Sequence, residues 1–321
     1  MIHMPVIPSN QIRLCVAPMM GYTDRFCRTF HRLLAPSARL YTEMVHANAL
    51  LHGREELIAY HPMENPVALQ LGGADPIVLA KATKIAAKLG YAEVNLNCGC
   101  PSGRVQSGGF GACLMLQPDC VVACVQAMVD VDQVPITVKC RLGVDNLFTY
   151  NKFAEFIMRV MSAGAAMVIV HARQALLNGI SPKQNREIPP LRYDWAYRFK
   201  REHPHFPLVL NGGITDLGQV RIHLNQVDGV MLGRSAYHTP YLLHQIDSAL
   251  FQNPLQTHVA LLEAWREYVA HDLATGVPLK QMVRHVLGLF HGQPGGKRFR
   301  HLLSNGTIDD WRLVDRAIEA I

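Results

Sequence analysis

The segment Asn97-Cys98-Gly99-Cys100-Pro101 places two thiols in a stretch whose composition predicts a loop. Its glycine and proline favour a turn after a buried strand, so its cysteines are expected to leave the core. Because proline disfavours helical backbone at the preceding residue, Cys100 is expected to be held extended. Its exposure would favour catalysis, as a nucleophile or as an acid, over a structural role. We assign a structural role to Cys98 and to most of the other cysteines.

Two glycine-containing segments, Asn211-Gly212-Gly213 and Gly233-Arg234, have the composition of phosphate-binding loops. They follow the seventh and eighth predicted strands, where (β/α)8 barrels commonly bind phosphate. Glycines there let backbone N–H groups approach the anion, a following helix N-terminus adds a positive dipole, and Arg234 adds charge. Two ordinary glycine turns are the alternative. The positions favour phosphate binding, and with it a phosphorylated cofactor or substrate.

Lys139, His171 and Gln70 are polar residues near the ends of otherwise apolar segments. Burying the charge of a lysine in a barrel mouth costs free energy unless the ammonium group meets an anion or a polarised carbonyl. A flavin ring offers both. His171 could reach a phosphate or the ring edge, and a hydrogen-bonded core histidine is its alternative. The amide of Gln70 matches the pyrimidine edge of a flavin. Since no His/Asp pair stands near Cys100 in the sequence to activate a nucleophile, an acid role beside a flavin fits that thiol better.

Basic residues crowd two segments in a way that is typical of contacts with nucleic-acid phosphates. One segment lies between His171 and the next predicted helix, and the other lies near the carboxyl end of the chain. A solvated charged face is the alternative, and the residues alone do not decide between the two. The basic residues are Lys183, Arg186 and Arg192 in the first segment and Lys297, Arg298, Arg300 and His301 in the second.

These residues need a scaffold that brings the ends of successive strands together. Eight short apolar segments alternate with longer amphipathic ones, which predicts βαβ units and a parallel sheet. Eight units favour closure into a (β/α)8 TIM barrel, with the site at the carboxyl ends of the strands. A doubly wound sheet is the runner-up, but no G-x-G-x-x-G motif follows the first strand. The predicted strands are residues 14–19, 40–44, 67–71, 93–96, 136–139, 167–170, 208–210 and 229–232.

After about Pro240 the pattern becomes purely helical, which predicts a small carboxyl-terminal helical domain after the barrel. The joint is expected at Asn253-Pro254, so that residues 1–252 form the barrel and residues 253–321 form the helical domain. N-cap residues beside a proline or an acid mark several helix starts. The predicted helices include residues 76–89, 119–129, 153–163, 217–224, 242–251, 258–270, 279–290 and 308–321.

Composition and charge exclude several classes of protein. The chain has 321 residues, of which 49% are hydrophobic and 17% are charged, a globular rather than a disordered balance. The formal net charge of +6 permits a polyanionic partner without requiring one. The 8 cysteines include no two C-x-x-C pairs, so no metal site is predicted, and a core of this size needs no disulfides. Without a signal peptide or a membrane-length apolar segment, a reduced, cytoplasmic protein is expected.

Taken together, the motifs make the sequence similar to the tRNA-dihydrouridine synthase family, and within it to the A-type enzymes. The resemblance covers essentially the whole chain, including the helical tail, and its most specific part is the loop at residues 97–101. The segments that carry it are Ala17-Pro18-Met19, Thr23-Asp24-Arg25, Leu40-Tyr41-Thr42-Glu43-Met44, Pro66-Val67-Ala68-Leu69-Gln70-Leu71-Gly72-Gly73, Asn95-Leu96-Asn97-Cys98-Gly99-Cys100-Pro101, Asn185-Arg186-Glu187-Ile188-Pro189-Pro190 and Asn211-Gly212-Gly213-Ile214.

The resemblance implies an FMN-dependent reduction of uridine in tRNA. NADPH reduces the flavin, the flavin N5 gives a hydride to uracil C6, and Cys100 protonates C5 to give 5,6-dihydrouridine. The A-type subgroup acts on D-loop uridines at tRNA positions 20 and 20a, and such a base must leave its stack to reach the flavin. The implied FMN contacts are Pro18, Met19, Met20, Gln70, Lys139, His171, Asn211, Gly212, Gly213, Gly233 and Arg234, and the expected tRNA contacts are Asn97, Lys183, Arg186, Arg298 and Arg300.

Two other functions stay open on the residues alone. A flavin reductase of free pyrimidines, similar to dihydroorotate dehydrogenase, would share the barrel and the hydride chemistry but would not need a basic helical tail. A non-catalytic RNA-binding protein with a decayed barrel is disfavoured, because Cys100, Lys139 and His171 are all present. Neither a membrane nor an obligatory protein partner is predicted.

Overall fold

Eight parallel strands close into a barrel in the computed structural model, which describes residues 7–145, 147–305 and 310–321. Each strand pairs with the next one along the chain, and the last pairs with the first. The predicted TIM-barrel class is therefore confirmed, and the doubly wound alternative is wrong. The strands are β1 (Leu14–Val16), β2 (Arg39–His46), β3 (Val67–Gly72), β4 (Glu93–Cys98), β5 (Ile136–Arg141), β6 (Met167–His171), β7 (Leu208–Asn211) and β8 (Gly229–Leu232).

Helices separate the strands and continue beyond the last of them. Those between the strands are α1 (Arg25–Leu34), α2 (Ala47–Leu51), α3 (Pro76–Lys88), α4 (Gly103–Ser107), α5 (Pro118–Val129), α6 (Tyr150–Ser162), α7 (Tyr193–Glu202) and α8 (Leu217–Leu224). Those after β8 are α9 (Arg234–His238), α10 (Pro240–Phe251), α11 (His258–Ala274), α12 (Leu279–Val283), α13 (Gly296–Asn305) and α14 (Trp311–Ile318).

Several predicted elements differ from the observed ones, most clearly β1 and the last helices of the chain. β1 ends at Val16 instead of residue 19, because Pro18 has no N–H to continue the ladder. The helix predicted over residues 279–290 ends at Val283, and tight turns follow that seat Gly288 against the backbone of His238. The helix predicted over residues 308–321 is α14, and its first two predicted residues lie outside the described ranges. The helix α13 was not predicted.

The alternation of side chains along each strand separates the barrel interior from the helix layer. On β4, Asn95 and Asn97 form hydrogen bonds inside the barrel, whereas Leu96 and Cys98 pack against the surrounding helices. The middle of the interior is filled by apolar side chains such as Met231. Polar side chains inside the barrel are joined to one another, as the bonds of Gln70 to Asn95 and Asn97 show.

A buried ion pair lies at the amino-terminal end of the barrel. Arg39 begins β2 and Glu93 begins β4, and the Nε of Arg39 lies 3.5 Å from the Oε2 of Glu93. The hydroxyls of Tyr41 and Thr137 donate hydrogen bonds to Glu93 Oε1. Burial raises the pKa of Glu93, against the opposing effects of Arg39 and these hydrogen bonds. The carboxylate therefore depends on its partners to remain charged in the core.

The helices after β8 share one apolar cluster with the outer face of the barrel. Trp265 on α11 and Phe299 on α13 are fully buried in the same cluster as Phe30 on α1 and Leu243 on α10. The predicted joint falls between α10 and α11, and Gln252 there adopts a left-handed conformation. The division into two domains stays a prediction. Within the described ranges, no helix is both long enough and apolar enough to span a membrane.

The Arg39–Glu93 pair generates a stability prediction. Glu93→Leu should lower the free energy of unfolding by about 3–5 kcal/mol, because it leaves the Arg39 guanidinium buried without its counter-charge. The double variant Arg39→Met/Glu93→Leu should recover most of that loss, since neither charge is then buried. Urea unfolding followed by circular dichroism measures both. Additive losses in the double variant would show that the pair is not coupled.

Candidate active site at the carboxyl ends of the strands

A cavity of about 320 Å³ opens at the carboxyl ends of the strands, a volume in the range of small-molecule sites. All of the residues for which FMN contacts are predicted line it, and so do Cys100, Asn97 and Arg186. The predicted tRNA contacts Lys183, Arg298 and Arg300 are described but lie outside this lining. Tyr22 and Arg141, for which no ligand contact is predicted, also line the cavity. The sequence alone indicates that Arg141 is a second cation beside Lys139 at the end of β5.

Cys100 lies on the loop that follows β4, and this loop is clamped from two sides. The side-chain oxygen of Asn97 accepts hydrogen bonds from the backbone N–H groups of Gly99 and Cys100, both at 3.0 Å. From the neighbouring strand, the Nε of Arg141 donates to the Gly99 carbonyl at 3.2 Å. The Cys100 thiol lies 3.5 Å from the hydroxyl of Ser102. The loop therefore holds a half-buried thiol at the cavity.

Cys98 lies in a different environment, although only one residue separates it from Cys100. It is the last residue of β4, is paired in register with Cys140 on β5, and is fully buried. Burial raises the pKa of its thiol well above the usual value. The expectation that both cysteines leave the core is therefore wrong for Cys98, because the strand continues through it and turns its side chain toward the helices. All eight cysteines are free thiols.

The amides of Gln70 and Asn97 bind each other instead of standing free in the cavity. Asn97 Nδ2 donates to Gln70 Oε1 at 2.8 Å, and Gln70 Nε2 donates to Asn95 Oδ1 at 2.8 Å. Both residues line the cavity, but Gln70 is 1% exposed and Asn97 is 8% exposed. The placement of Asn97 favours support of the Cys100 loop, and its contact with tRNA stays a prediction.

The cavity carries positive charge without a carboxylate among its described lining residues. Lys139 Nζ donates to Asn211 Oδ1 at 3.1 Å, a neutral partner. Removal from water, and then the charge of Arg141, lower the pKa of Lys139 to about 8. Burial and the charges of Arg141 and Lys139 hold the pKa of His171 well below its usual value, so this imidazole is neutral. Such a site favours a ligand that is, or becomes, negatively charged.

The glycines after β7 are required by local packing as well as by any ligand. Gly212 and Gly213 both have positive φ. A Cβ on Gly212 would lie 2.5 Å from the ring of His171, and one on Gly213 would lie 2.5 Å from Leu191. A Cβ on Gly233, after β8, would meet nothing within 4 Å. No hydrogen bond within the described ranges uses the N–H of Gly213 or Gly233, so both donors are available to an anion.

Arginines position the segment that carries Arg186 beside the cavity. The Nη1 of Arg141 donates to the Asn185 carbonyl at 3.0 Å. Arg234 forms an ion pair with Glu187 at 2.6 Å. Part of the charge that the sequence assigns to phosphate binding is therefore already paired. This Glu187 contact could not be predicted, because 47 residues separate the two partners along the chain.

The cations of the helical tail lie on the exposed side of α13. Arg298 and Arg300 are exposed on either side of the buried Phe299. In the other basic segment, Arg192 pairs with Asp194 at 2.8 Å and is already partly neutralised. The tail therefore presents cations that a polyanion could reach.

The fold and the cavity define a (β/α)8-barrel protein with a cationic site at the carboxyl ends of its strands. The family described as dihydrouridine synthase (Dus) matches residues 15–315. This chain belongs to that family.

Named relatives match this chain over most of both lengths. A tRNA-dihydrouridine(20/20a) synthase of Xanthomonas axonopodis pv. citri (strain 306) is 61% identical over 312 residues, which are 96% of this chain and 93% of the relative. A protein with the same name from Vibrio cholerae serotype O1 is 47% identical over 302 residues, which are 93% of this chain and 92% of the relative.

Solved structures of other sequences share the fold. A complex of 2-naphthoyl-CoA reductase with 2-naphthoyl-CoA has a TM-score of 0.55 at 10% identity, over 74% of this chain and 50% of that chain. TcOYE with pHBA has a TM-score of 0.51 at 10% identity, over 76% of this chain and 90% of that chain. At this identity the likeness concerns the fold alone.

The environment of Lys139 generates a prediction about pH. Lys139→Met should raise the free energy of unfolding of the ligand-free protein at pH 7 by on the order of 1–2 kcal/mol, because methionine needs no charge in this site. The folded pKa of about 8 lies below the ordinary value of 10.5. The charged form of Lys139 therefore lowers the free energy of unfolding by its full amount below pH 8, and this destabilisation declines as the pH rises from 8 to 10.5.

Urea unfolding at pH 7 and pH 9.5 measures this effect. The gain in free energy of unfolding from Lys139→Met should be smaller at pH 9.5, where the lysine of the folded wild type is mostly neutral. An equal advantage at both pH values would show that the difference does not come from the charge.

Proposed function

We propose that this chain is an FMN- and NADPH-dependent enzyme that reduces uridines 20 and 20a of tRNA to 5,6-dihydrouridine. The observation that carries the proposal is a single cavity lined by Cys100, Lys139, His171 and the glycines that follow β7 and β8. The named relatives support it, since they match nearly the whole chain. With tRNA as the proposed substrate, we expect the reaction to take place in the cytoplasm.

The donors of the cavity fit FMN. The free N–H groups of Gly213 and Gly233, with Arg234, would hold the phosphate. Lys139, a cation with a lowered pKa and only a neutral partner, would face the edge of the ring that becomes negative on reduction. When bound and reduced by NADPH, the flavin supplies a hydride to uracil C6. Further contacts are proposed for Pro18, Met19, Met20, Gln70, His171, Asn211 and Gly212.

Cys100 is the proposed acid of the reaction. Addition of hydride at uracil C6 leaves an enolate, and its C5 must take a proton. The thiol of Cys100 gives this proton from a loop that the Asn97 amide and Arg141 hold in place. Lys139 and Arg141 line the same cavity as Cys100, so positive charge would lie near the sulfur that has given up its proton.

The exposed cations are the proposed contacts with tRNA. Arg186 at the cavity and Lys183 beside it would bind near the target nucleotide, whereas Arg298 and Arg300 on α13 would bind backbone phosphates. These tail cations favour tRNA over a free pyrimidine, which would gain nothing from them. A tRNA-dependent NADPH oxidation assay separates the two substrates.

Cys100→Ala tests the acid. The variant should retain FMN, accept electrons from NADPH and bind tRNA, yet form dihydrouridine about 10²–10⁴ times more slowly, which is the usual loss when a general acid is removed. Cys100→Ser should restore little of the lost rate, because a hydroxyl is a much weaker acid than a thiol. Single-turnover reoxidation of the reduced enzyme by tRNA measures the step.

Cys98→Ala is the matched control for this experiment. It removes a thiol from the same segment, but one that faces the helix layer. Its single-turnover rate should stay near that of the wild type. If Cys98→Ala is the slow variant, or if neither variant is slow, the assignment of the acid is wrong while the fold and cofactor proposals stand.

Arg298→Ala/Arg300→Ala tests the role of the tail. Binding of tRNA should weaken, and the slope of log affinity against log salt should become shallower by about 2, one unit for each lost phosphate contact. Flavin content should be unchanged. Fluorescence anisotropy at several salt concentrations measures the slope.

The control is Arg201→Ala/Arg221→Ala, which removes the same charge from the exposed carboxyl ends of α7 and α8. These helix ends precede β7 and β8 and so lie at the end of the barrel away from the cavity. An equal change in both double variants would point to net charge alone and contradict a contact at α13.

A further inference from the structure

A continuous series of side-chain hydrogen bonds runs through the barrel from the Cys100 loop to the opposite end. We call this series the polar chain. Its successive bonds measure 3.0, 2.8, 2.8 and 2.7 Å, and a last bond reaches the carboxylate of Glu93. From donor to acceptor, the polar chain consists of the Cys100 N–H, Asn97, Gln70, Asn95, Thr137 and Glu93.

The two ends of the polar chain dictate its direction. A backbone N–H can only donate, so Asn97 must turn its oxygen toward Cys100 and its NH₂ toward Gln70. The same argument orients Gln70 and then Asn95. At the other end the carboxylate of Glu93 accepts, so the Thr137 hydroxyl donates to it. Every bond points the same way, and aligned bonds of this kind strengthen one another.

Water has little access to the polar chain. Glu93, Asn95 and Thr137 are fully buried, and Asn97 is the most exposed of its side chains at 8%. An amide that loses its partner here finds no replacement and must rotate or shift. The polar chain therefore gives a change at the bottom of the barrel a route to the loop at the top, in addition to the backbone of β4 and the contact of Arg141 with Gly99.

We propose that Thr137 and Glu93 are positioning residues for Cys100, acting through the polar chain. This inference rests on the proposed role of Cys100 as the acid. Thr137 and Glu93 hold the orientation of the Asn97 amide, and this amide holds the N–H groups that shape the Cys100 loop. A proton donor displaced by about 1 Å can lose as much as a hundredfold in rate, so small rotations are sufficient.

The barrel provides a matched pair of substitutions. Thr137→Val replaces the hydroxyl by a methyl group of similar size and cuts the polar chain. Tyr41→Phe removes the other hydroxyl that donates to the same oxygen of Glu93, at 2.8 Å, but leaves the polar chain intact. Both variants take one hydrogen bond from Glu93, and only the first separates it from Cys100. Thr137→Ser restores the hydroxyl.

Two measurements on the flavin-loaded enzyme test the proposal. Measured per bound flavin, Thr137→Val should slow single-turnover formation of dihydrouridine by roughly tenfold or more. It should also alter the rate at which iodoacetamide alkylates Cys100, followed by peptide mass spectrometry. Tyr41→Phe should stay within about twofold of the wild type in both measurements. Thr137→Ser should return both values toward the wild type.

Equal effects of Thr137→Val and Tyr41→Phe, or no effect of either, would overturn the proposal. If Thr137→Val does not fold, Thr137→Ala replaces it, since it also removes the hydroxyl and cuts the polar chain without adding bulk, and unchanged alkylation of Cys100 would then count against the polar chain. If the wild type forms no dihydrouridine from tRNA, the proposed function fails, whereas the alkylation measurement still decides whether Glu93 and Thr137 position Cys100.

Discussion

The hydrogen bonds that Asn97 makes in two directions are the constraint on which the site depends. Its oxygen shapes the loop that presents Cys100, and its nitrogen joins the amides inside the barrel. Neither set of bonds can be exchanged for water, because the side chain is almost completely buried. Rigid support for the loop that carries Cys100 is therefore built from the strands themselves, which are the most precisely placed elements of the fold.

The positive charge of the cavity suits an anionic ligand, but it lowers the stability of the protein when no ligand is bound. Lys139 has a neutral partner, and His171 is kept neutral by burial and by two neighbouring cations. Without a carboxylate among the described lining residues, the unbalanced charge is compensated only when an anionic group binds. At the other end of the barrel Arg39 and Glu93 compensate each other, so this pair needs no ligand to balance its charge.

The helical tail packs against the barrel with one side and exposes cations on the other. Its inner side completes the apolar cluster over α1 and α10, so it stabilises the barrel. Its outer side exposes Arg298 and Arg300. The ion pairs of Arg25 with Asp272 and of Arg284 with Asp24 join the tail to the start of α1. A polyanion bound to the tail is thus held by a surface that is continuous with the barrel that carries the site.

The barrel, the Cys100 loop and the set of cavity residues were predictable from the sequence, because each depends on local patterns. Apolar segments, helix caps and glycine turns are each specified by residues that are close together in the sequence. Parallel strands then bring their carboxyl ends to one edge of the sheet. The side of the sheet that Cys98 faces, the pairing of Arg234 with Glu187 and the bonds of Gln70 to Asn95 and Asn97 required the tertiary structure. These features depend on where a strand ends and on partners that are remote along the chain, and only the closed barrel brings those partners together.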